Sequence, residues 1–184
     1  TPKEFIFDKE KNKIGFDFLK KHGYKNNKIV CLLVRDNFFK KTYSNQKKDW
    51  SYHNFRNADI FKYKKGIRFL LKKNYFVIRI GRGSEKKVYF KDTNYFDYSN
   101  LNIKDDFLDY WIISKCHFCI TTGTGIDEAC SLYKKPILDT NFFPIGRVRS
   151  GQNYCISIFK KILKKKTKRF LNLSKIIELD KKNM

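Results

Sequence analysis

No apolar run in this 184-residue sequence approaches the roughly 20 residues that cross a bilayer, and no charged start leads into an apolar stretch of secretory type. A soluble, cytoplasmic chain is the expectation. Cysteine is sparse and odd in number: Cys31, Cys116, Cys119, Cys130 and Cys155 are scattered, which is no disulfide framework and fits a reducing compartment. Cys116 and Cys119 form a C-x-x-C, but they fall in an apolar run that reads as a strand, where residues three apart face opposite ways. A metal or redox role is therefore not expected of them. Alanine occurs only twice, and acidic residues number 18 against 41 basic ones, for a net charge of +23. Such a charge suggests nucleic acid or an anionic membrane as partner. Yet the excess is almost all lysine, with 33 Lys to 8 Arg beside 15 Asn and 19 Ile, a skew that an AT-rich coding sequence produces. Most lysines then read as solubilising decoration, no specific nucleic-acid partner is expected, and the few arginines carry more information.

What is present is apolar bulk: 41% hydrophobic residues, with 18 Phe, 11 Tyr and 2 Trp, enough for one packed domain and too much for disorder. Residues 1–27 read as a lead-in followed by a short helix, Lys13–Lys21, closed by Gly23. Lys28–Val34 is a continuous apolar strand ending at Arg35-Asp36, followed by a polar, aromatic connection of some two dozen residues to Ala58. Asp59 can cap a helix with apolar positions Ile60, Tyr63, Ile67 and Leu70-Leu71, stopped by Asn74. Strand Tyr75–Ile80 runs into Gly81-Arg82-Gly83-Ser84, and a weak strand near Tyr95–Tyr98 precedes a helix starting at Asp105-Asp106. Strand Cys116–Thr121 then enters Thr122-Gly123-Thr124-Gly125, a helix with Ile126, Ala129, Cys130 and Tyr133 inward, and strand Pro136–Asp139. This alternation predicts an α/β domain over residues 28–150, a Rossmann-like parallel sheet with helices on both faces. Residues 151–184 read as a basic, partly helical segment, with Ile158, Phe159, Ile162 and Leu163 at helix-compatible spacing.

In an open parallel sheet, ligands bind outside the carboxyl ends of the strands. Three features fall there: Arg35-Asp36, Arg79 with Gly81–Ser84, and Thr122–Gly125. The last joins strand to helix, so its amides and the helix end suit a phosphate, and arginine forks suit the same guest. Each feature also has a plain structural reading: a tight turn without ligand, or Arg35 in an ion pair with Asp36 or Asp59. In the long connection, Asp49-Trp50-Ser51-Tyr52-His53-Asn54-Phe55-Arg56 gathers stacking and hydrogen-bonding groups; His53 and Asp49 are weak candidates for an acid or base, and Trp50, Tyr52 and Arg56 for sugar or nucleotide contacts. Asp127 and Glu128 suit the start of a helix and could alternatively reach sugar hydroxyls. Asp105, Asp106 and Asp109 form an acidic group, but the first two read as capping residues, so no metal is expected.

The blocks Val34-Arg35-Asp36, Asp49-Trp50-Ser51-Tyr52, Arg56-Asn57-Ala58-Asp59, Val77-Ile78-Arg79-Ile80-Gly81, Asp106-Phe107-Leu108-Asp109, Thr121–Gly125 and Lys135-Pro136-Ile137-Leu138 together resemble a family of bacterial glycosyltransferases associated with surface polysaccharide genes. Thr122–Leu138 also resembles the glycine-turn unit in the donor-binding domain of the two-Rossmann-domain glycosyltransferase fold, and Arg35-Asp36 the arginine motif of fucosyltransferase-like enzymes. The resemblance implies a nucleotide-sugar donor, no tightly held metal and no other cofactor. It places Arg35, Arg79, Gly81 and Thr122, Gly123, Thr124 and Gly125 at the diphosphate, with Asp36 among the sugar or nucleotide contacts. It further implies a glycan or lipid-linked acceptor and a second Rossmann-like domain preceding this one. Ile80 departs from the family, which often has Met there. Two other readings compete: a non-catalytic basic module binding anionic polymer or the inner membrane surface through Lys160–Lys168, and an epimerase-like enzyme on nucleotide sugars.

Overall fold

The computed structural model describes residues 6–43, 49, 51–101, 103, 105–149 and 151–181. Its centre is a six-stranded parallel sheet in the order β3-β2-β1-β4-β5-β6, formed by β1 (Ile29–Leu33), β2 (Phe76–Arg79), β3 (Tyr95–Phe96), β4 (Phe118–Thr121), β5 (Ile137–Phe142) and β6 (Cys155–Phe159). β1 pairs with β2 on one side and β4 on the other, so strand order reverses beside it. A Rossmann-like sheet with helices on both faces follows from the sequence pattern, because every residue of β1 and β2 is buried and all but the terminal Arg79 are apolar.

Alternation along the strands sorts the core into two layers. Cys31, Leu33, Phe76 and Ile78 face Leu19 of α1 (Lys9–Lys21) and Leu108, Trp111 and Ile112 of α4 (Asp106–Lys115). Val30, Leu32 and Val77 face Ile67, Leu70 and Leu71 of α3 (Lys64–Lys72). The helix boundaries have local causes. Asp105 accepts the amides of Phe107 and Leu108 to start α4, Asp59 accepts Phe61 N–H to start the 3-10 turn Ile60–Tyr63 that leads into α3, and Asn74, at φ 59°, turns the chain into β2.

Four expectations are corrected. Helix α1 begins at Lys9 rather than Lys13, since Asp8 accepts Lys11 N–H at 2.8 Å, and Asn12 of the supposed lead-in accepts the Trp111 indole N–H at 3.1 Å. The connection after β1 is not all loop, for it contains α2 (Phe38–Tyr43) and the 3-10 turn Ser51–Arg56. Cys116 caps the end of α4 instead of lying in β4, so strand alternation does not govern it, and Cys116 and Cys119 share one buried layer. Finally, the helix-compatible spacing after Tyr154 is overridden by pairing: β6 adds to β5 through Ile137–Cys155 and Leu138–Ile156, carrying the sheet past residue 150. A hairpin, β7 (Leu163–Lys164) with β8 (Arg169–Phe170), follows, and then α6 (Leu173–Lys181). Among the described residues no helix is long and apolar enough to cross a membrane.

Gly15 is the closest point of the α1–α4 contact, where a Cβ would lie 2.3 Å from the Trp111 ring. Trp111 is fully buried and held edge-on by Phe16, so it has no room to retreat. Gly15→Ala should therefore destabilise the fold by about 1–3 kcal/mol, measured by urea denaturation.

Candidate functional site

The carboxyl ends of β1, β2 and β4 meet at the reversal of strand order, where a parallel sheet splays and leaves a crevice. Two hydrogen bonds tie the chain leaving β1 to the chain leaving β4: Thr122 N–H donates to Leu33 O at 3.1 Å, and Arg35 N–H donates to Thr122 Oγ1 at 2.9 Å. Arg35 is thereby set against the turn Thr122–Gly125. A cavity of about 420 Å³ lies at this point, with Arg35, Lys40, Ile80, Arg82, Asp109 and Gly125 on its walls. A second, of about 600 Å³, lies on the other side of the turn, bounded by Arg56, Gly123, Phe143, Arg147 and Gln152. Thr124 belongs to both, and its Oγ1 is buried with no hydrogen-bond partner among the described residues.

The turn is braced from within. Asp127, fully buried, accepts Thr121 Oγ1–H at 2.8 Å and Thr124 N–H at 3.0 Å, while Gly123 N–H donates to Thr121 Oγ1 at 3.2 Å. Two amides expected to face a phosphate are thus engaged, and among the described residues those of Gly125 and Ile126 carry no such bond. The following helix, α5 (Glu128–Leu132), has only five residues, so the end of a helix contributes little here. Asp127 thus braces the turn; Arg149 sits 3.4 Å from its other oxygen and 2.7 Å from exposed Glu128.

The arginines divide into two kinds. Arg79, 2% exposed, donates to Lys86 O at 2.7 Å and lies 3.4 Å from Asp97 and 3.9 Å from Asp36, so its charge is already compensated. Asp36 in turn accepts the amides of Phe38 and Glu85, both at 2.9 Å, which fastens α2 and the loop after Gly83 to the rim. Arg35 and Arg56 have no carboxylate within ion-pair distance among the described residues. Arg56 donates to Gly123 O at 2.7 Å, and the Nε of Arg35 is buried without a hydrogen-bond partner among the described residues. Burial first, and then Arg56, lowers the proton affinity of Arg35, with Asp127 opposing; burial lowers that of Lys40 too, followed by Arg35 and Arg56. Three cations that repel one another across a partly dehydrated rim are an arrangement that an anion relieves.

The structure therefore gathers Arg35, Asp36, Arg56, Arg79, Gly81 and the 122–125 turn at one end of the sheet, with Asp127 and Glu128 behind the turn. Asp49 lines neither cavity; its carboxylate accepts the amide and hydroxyl of Ser51, both at 2.8 Å, and those bonds hold its pKa below the ordinary range, a setting for a turn cap. Trp50 and the side chains of Tyr52 and His53 lie outside the described residues. Arg56 joins the rim from a segment distant in sequence, and Lys40, unremarkable in the sequence, joins it because α2 folds over the crevice. Asp109 is likewise a wall residue, buried, with Arg82 Nε 3.7 Å away and Arg82 also paired to Asp106. Among the described residues no group of three His, Cys, Asp or Glu is placed to hold a metal ion. No family model, curated protein or solved structure matches the chain.

Gly123 has φ +76°, a conformation costly for any residue with a Cβ, whereas a Cβ on Gly125 meets nothing within 4 Å. Gly123→Ala should lose about 1–2 kcal/mol in thermal denaturation, and Gly125→Ala should melt like the parent. Burial raises the pKa of Asp109, so the folded state keeps its proton to higher pH than the unfolded state does. Stability contributed by this group is then present at low pH and falls as pH rises from the ordinary carboxylate range through the raised folded value. Urea denaturation at several pH values should show that fall flattened in Asp109→Asn.

Proposed function

We propose that this domain binds the diphosphate of a nucleotide-sugar donor at the β1/β4 crevice and serves as the donor-binding half of a two-Rossmann-domain glycosyltransferase for surface polysaccharide. The observation that carries this reading is the guanidinium of Arg35, its Nε buried and without a partner among the described residues, beside Arg56 and a turn that borders both cavities. A buried donor without an acceptor costs free energy unless a ligand supplies one, and phosphate oxygens match a guanidinium fork. The cavity beside Arg35 takes the nucleotide diphosphate against Thr124 and Gly125.

In the reaction so proposed, an acceptor hydroxyl oxygen bonds to the anomeric carbon as the bond from that carbon to the diphosphate oxygen breaks. The electron pair leaves with the diphosphate, and the acceptor's proton passes to a base of the preceding domain. Charge grows on the departing oxygen, and Arg35 and Arg56 are placed to be worth more there than in the ground state. Arg79, neutralised by Asp36 and Asp97, instead keeps the rim in shape. A glycan or lipid-linked acceptor fits the same scheme.

Thermal-shift measurements with GDP, UDP, CMP and dTDP test this reading: at least one should raise the melting temperature of the parent chain. A folded sample shifted by none of the four overturns it. Arg35→Ala should melt as the parent does alone but lose the nucleotide shift, and in the complete enzyme it should slow transfer about a hundred- to thousandfold. Arg79→Ala should behave otherwise, losing about 3–5 kcal/mol of stability because Asp36 and Asp97 are left without their buried cation.

A further inference from the structure

The chain leaves β6 at the same end of the sheet as the candidate site. Lys160 N–H donates to Phe142 O at 3.0 Å, and the Lys160 ammonium donates to Phe55 O in the turn that carries Arg56. From there the β7–β8 hairpin stands apart as its own two-stranded sheet, with Leu171 N–H donating to Ile162 O at 2.8 Å beside it. Two features set this hairpin against its surroundings. Lys164 lies directly opposite Arg169, a like-charge pair that weakens a ladder, and Leu163 lies directly opposite Phe170 with both in water, 45% and 64% exposed. A free two-stranded hairpin is marginal even without such pairs. Residues 160–170 hold seven basic residues and no acid, and Lys165-Lys166-Thr167-Lys168 makes the turn. The Lys161 ammonium lies 5.8 Å from the centre of the Phe170 ring, so a cation also borders the apolar pair. On the edge strand leading to the hairpin, Ile156 and Ile158 are 69% and 55% exposed.

We propose that the β7–β8 hairpin docks the protein on an anionic phospholipid surface, Leu163 and Phe170 entering the headgroup region while the surrounding lysines engage lipid phosphates. The charge is complementary only to an anionic partner, and the apolar pair selects among such partners. A nucleic-acid backbone satisfies the lysines and leaves Leu163 in water, whereas a bilayer interface accepts both, with lysine stems long enough to keep their ammonium groups at the phosphates. Docking also relieves the Lys164–Arg169 repulsion. The inference stands independently of what the crevice binds.

The test is co-sedimentation of the full chain with phosphatidylcholine vesicles with and without phosphatidylglycerol. Pelleting only with the phosphatidylglycerol vesicles, weakening as salt rises, is the expected result. Replacing Lys164, Lys165 and Lys166 together by Gln should weaken it about a hundredfold. Leu163→Ser with Phe170→Ser should abolish pelleting while leaving the melting temperature and any nucleotide shift unchanged. The proposal fails if a folded sample does not pellet with anionic vesicles or pellets equally with neutral ones. It also fails if the double serine variant still pellets while lysine-dependent binding to single-stranded RNA is as tight, which would make the hairpin a polyanion site.

Discussion

The crossing from β1 to β4 is the constraint on which the rest depends. Because β1 is paired on both sides, the strands before and after it in the sheet run their connections in opposite directions, and a crevice opens where the order reverses. Thr122 closes the base of that crevice with its amide and hydroxyl, and in doing so it fixes the backbone of Arg35. The position of the Arg35 backbone at the rim thus rests on a threonine at the end of another strand.

Charge compensation then separates the arginines into two kinds. Arg79 and Arg149 sit among carboxylates, Asp36 and Asp97 for the first, Asp127, Glu128 and Asp139 for the second, and each holds a loop in place. Arg35 and Arg56 are held by backbone and hydroxyl contacts that do not neutralise them. Burying a charge is costly unless it is paired, so the two guanidinium groups, which have no carboxylate within ion-pair distance among the described residues, are held in place by the surrounding fold. Asp127 braces the same turn by accepting the Thr124 amide and the Thr121 hydroxyl.

Much of the architecture was legible in the sequence. The apolar runs around Val30, Val77 and Cys119 mark strands because only a sheet covered on both faces tolerates them, and Asp105 and Asn74 mark helix boundaries by side-chain and backbone preferences that act within a turn. Failures occurred where a distant partner outweighs local pattern. Lys9–Asn12 lacks apolar spacing, yet it is helical under the Asp8 cap and a contact with Trp111. Ile158 and Phe159 sit at helix-compatible spacing until β5 offers a ladder. Arg35 and the 122–125 turn could be paired from the rule that ligands sit at strand carboxyl ends, but the opposite fates of Arg35 and Arg79 could not. That difference depends on Asp97 and Lys86, which lie beyond the strand and reach Arg79 through loop geometry.

By itself, then, the sequence determined an α/β sheet and its strands up to β5, because periodicity and capping act over a few residues. Tertiary structure alone decided which cations are neutralised, that Asp127 faces the turn, that Lys40 joins the rim, and that residues 155–159 extend the sheet while a cationic hairpin forms its own two-stranded sheet beyond it. These outcomes depend on pairings between segments dozens of residues apart, and such pairings are settled by packing and desolvation in three dimensions.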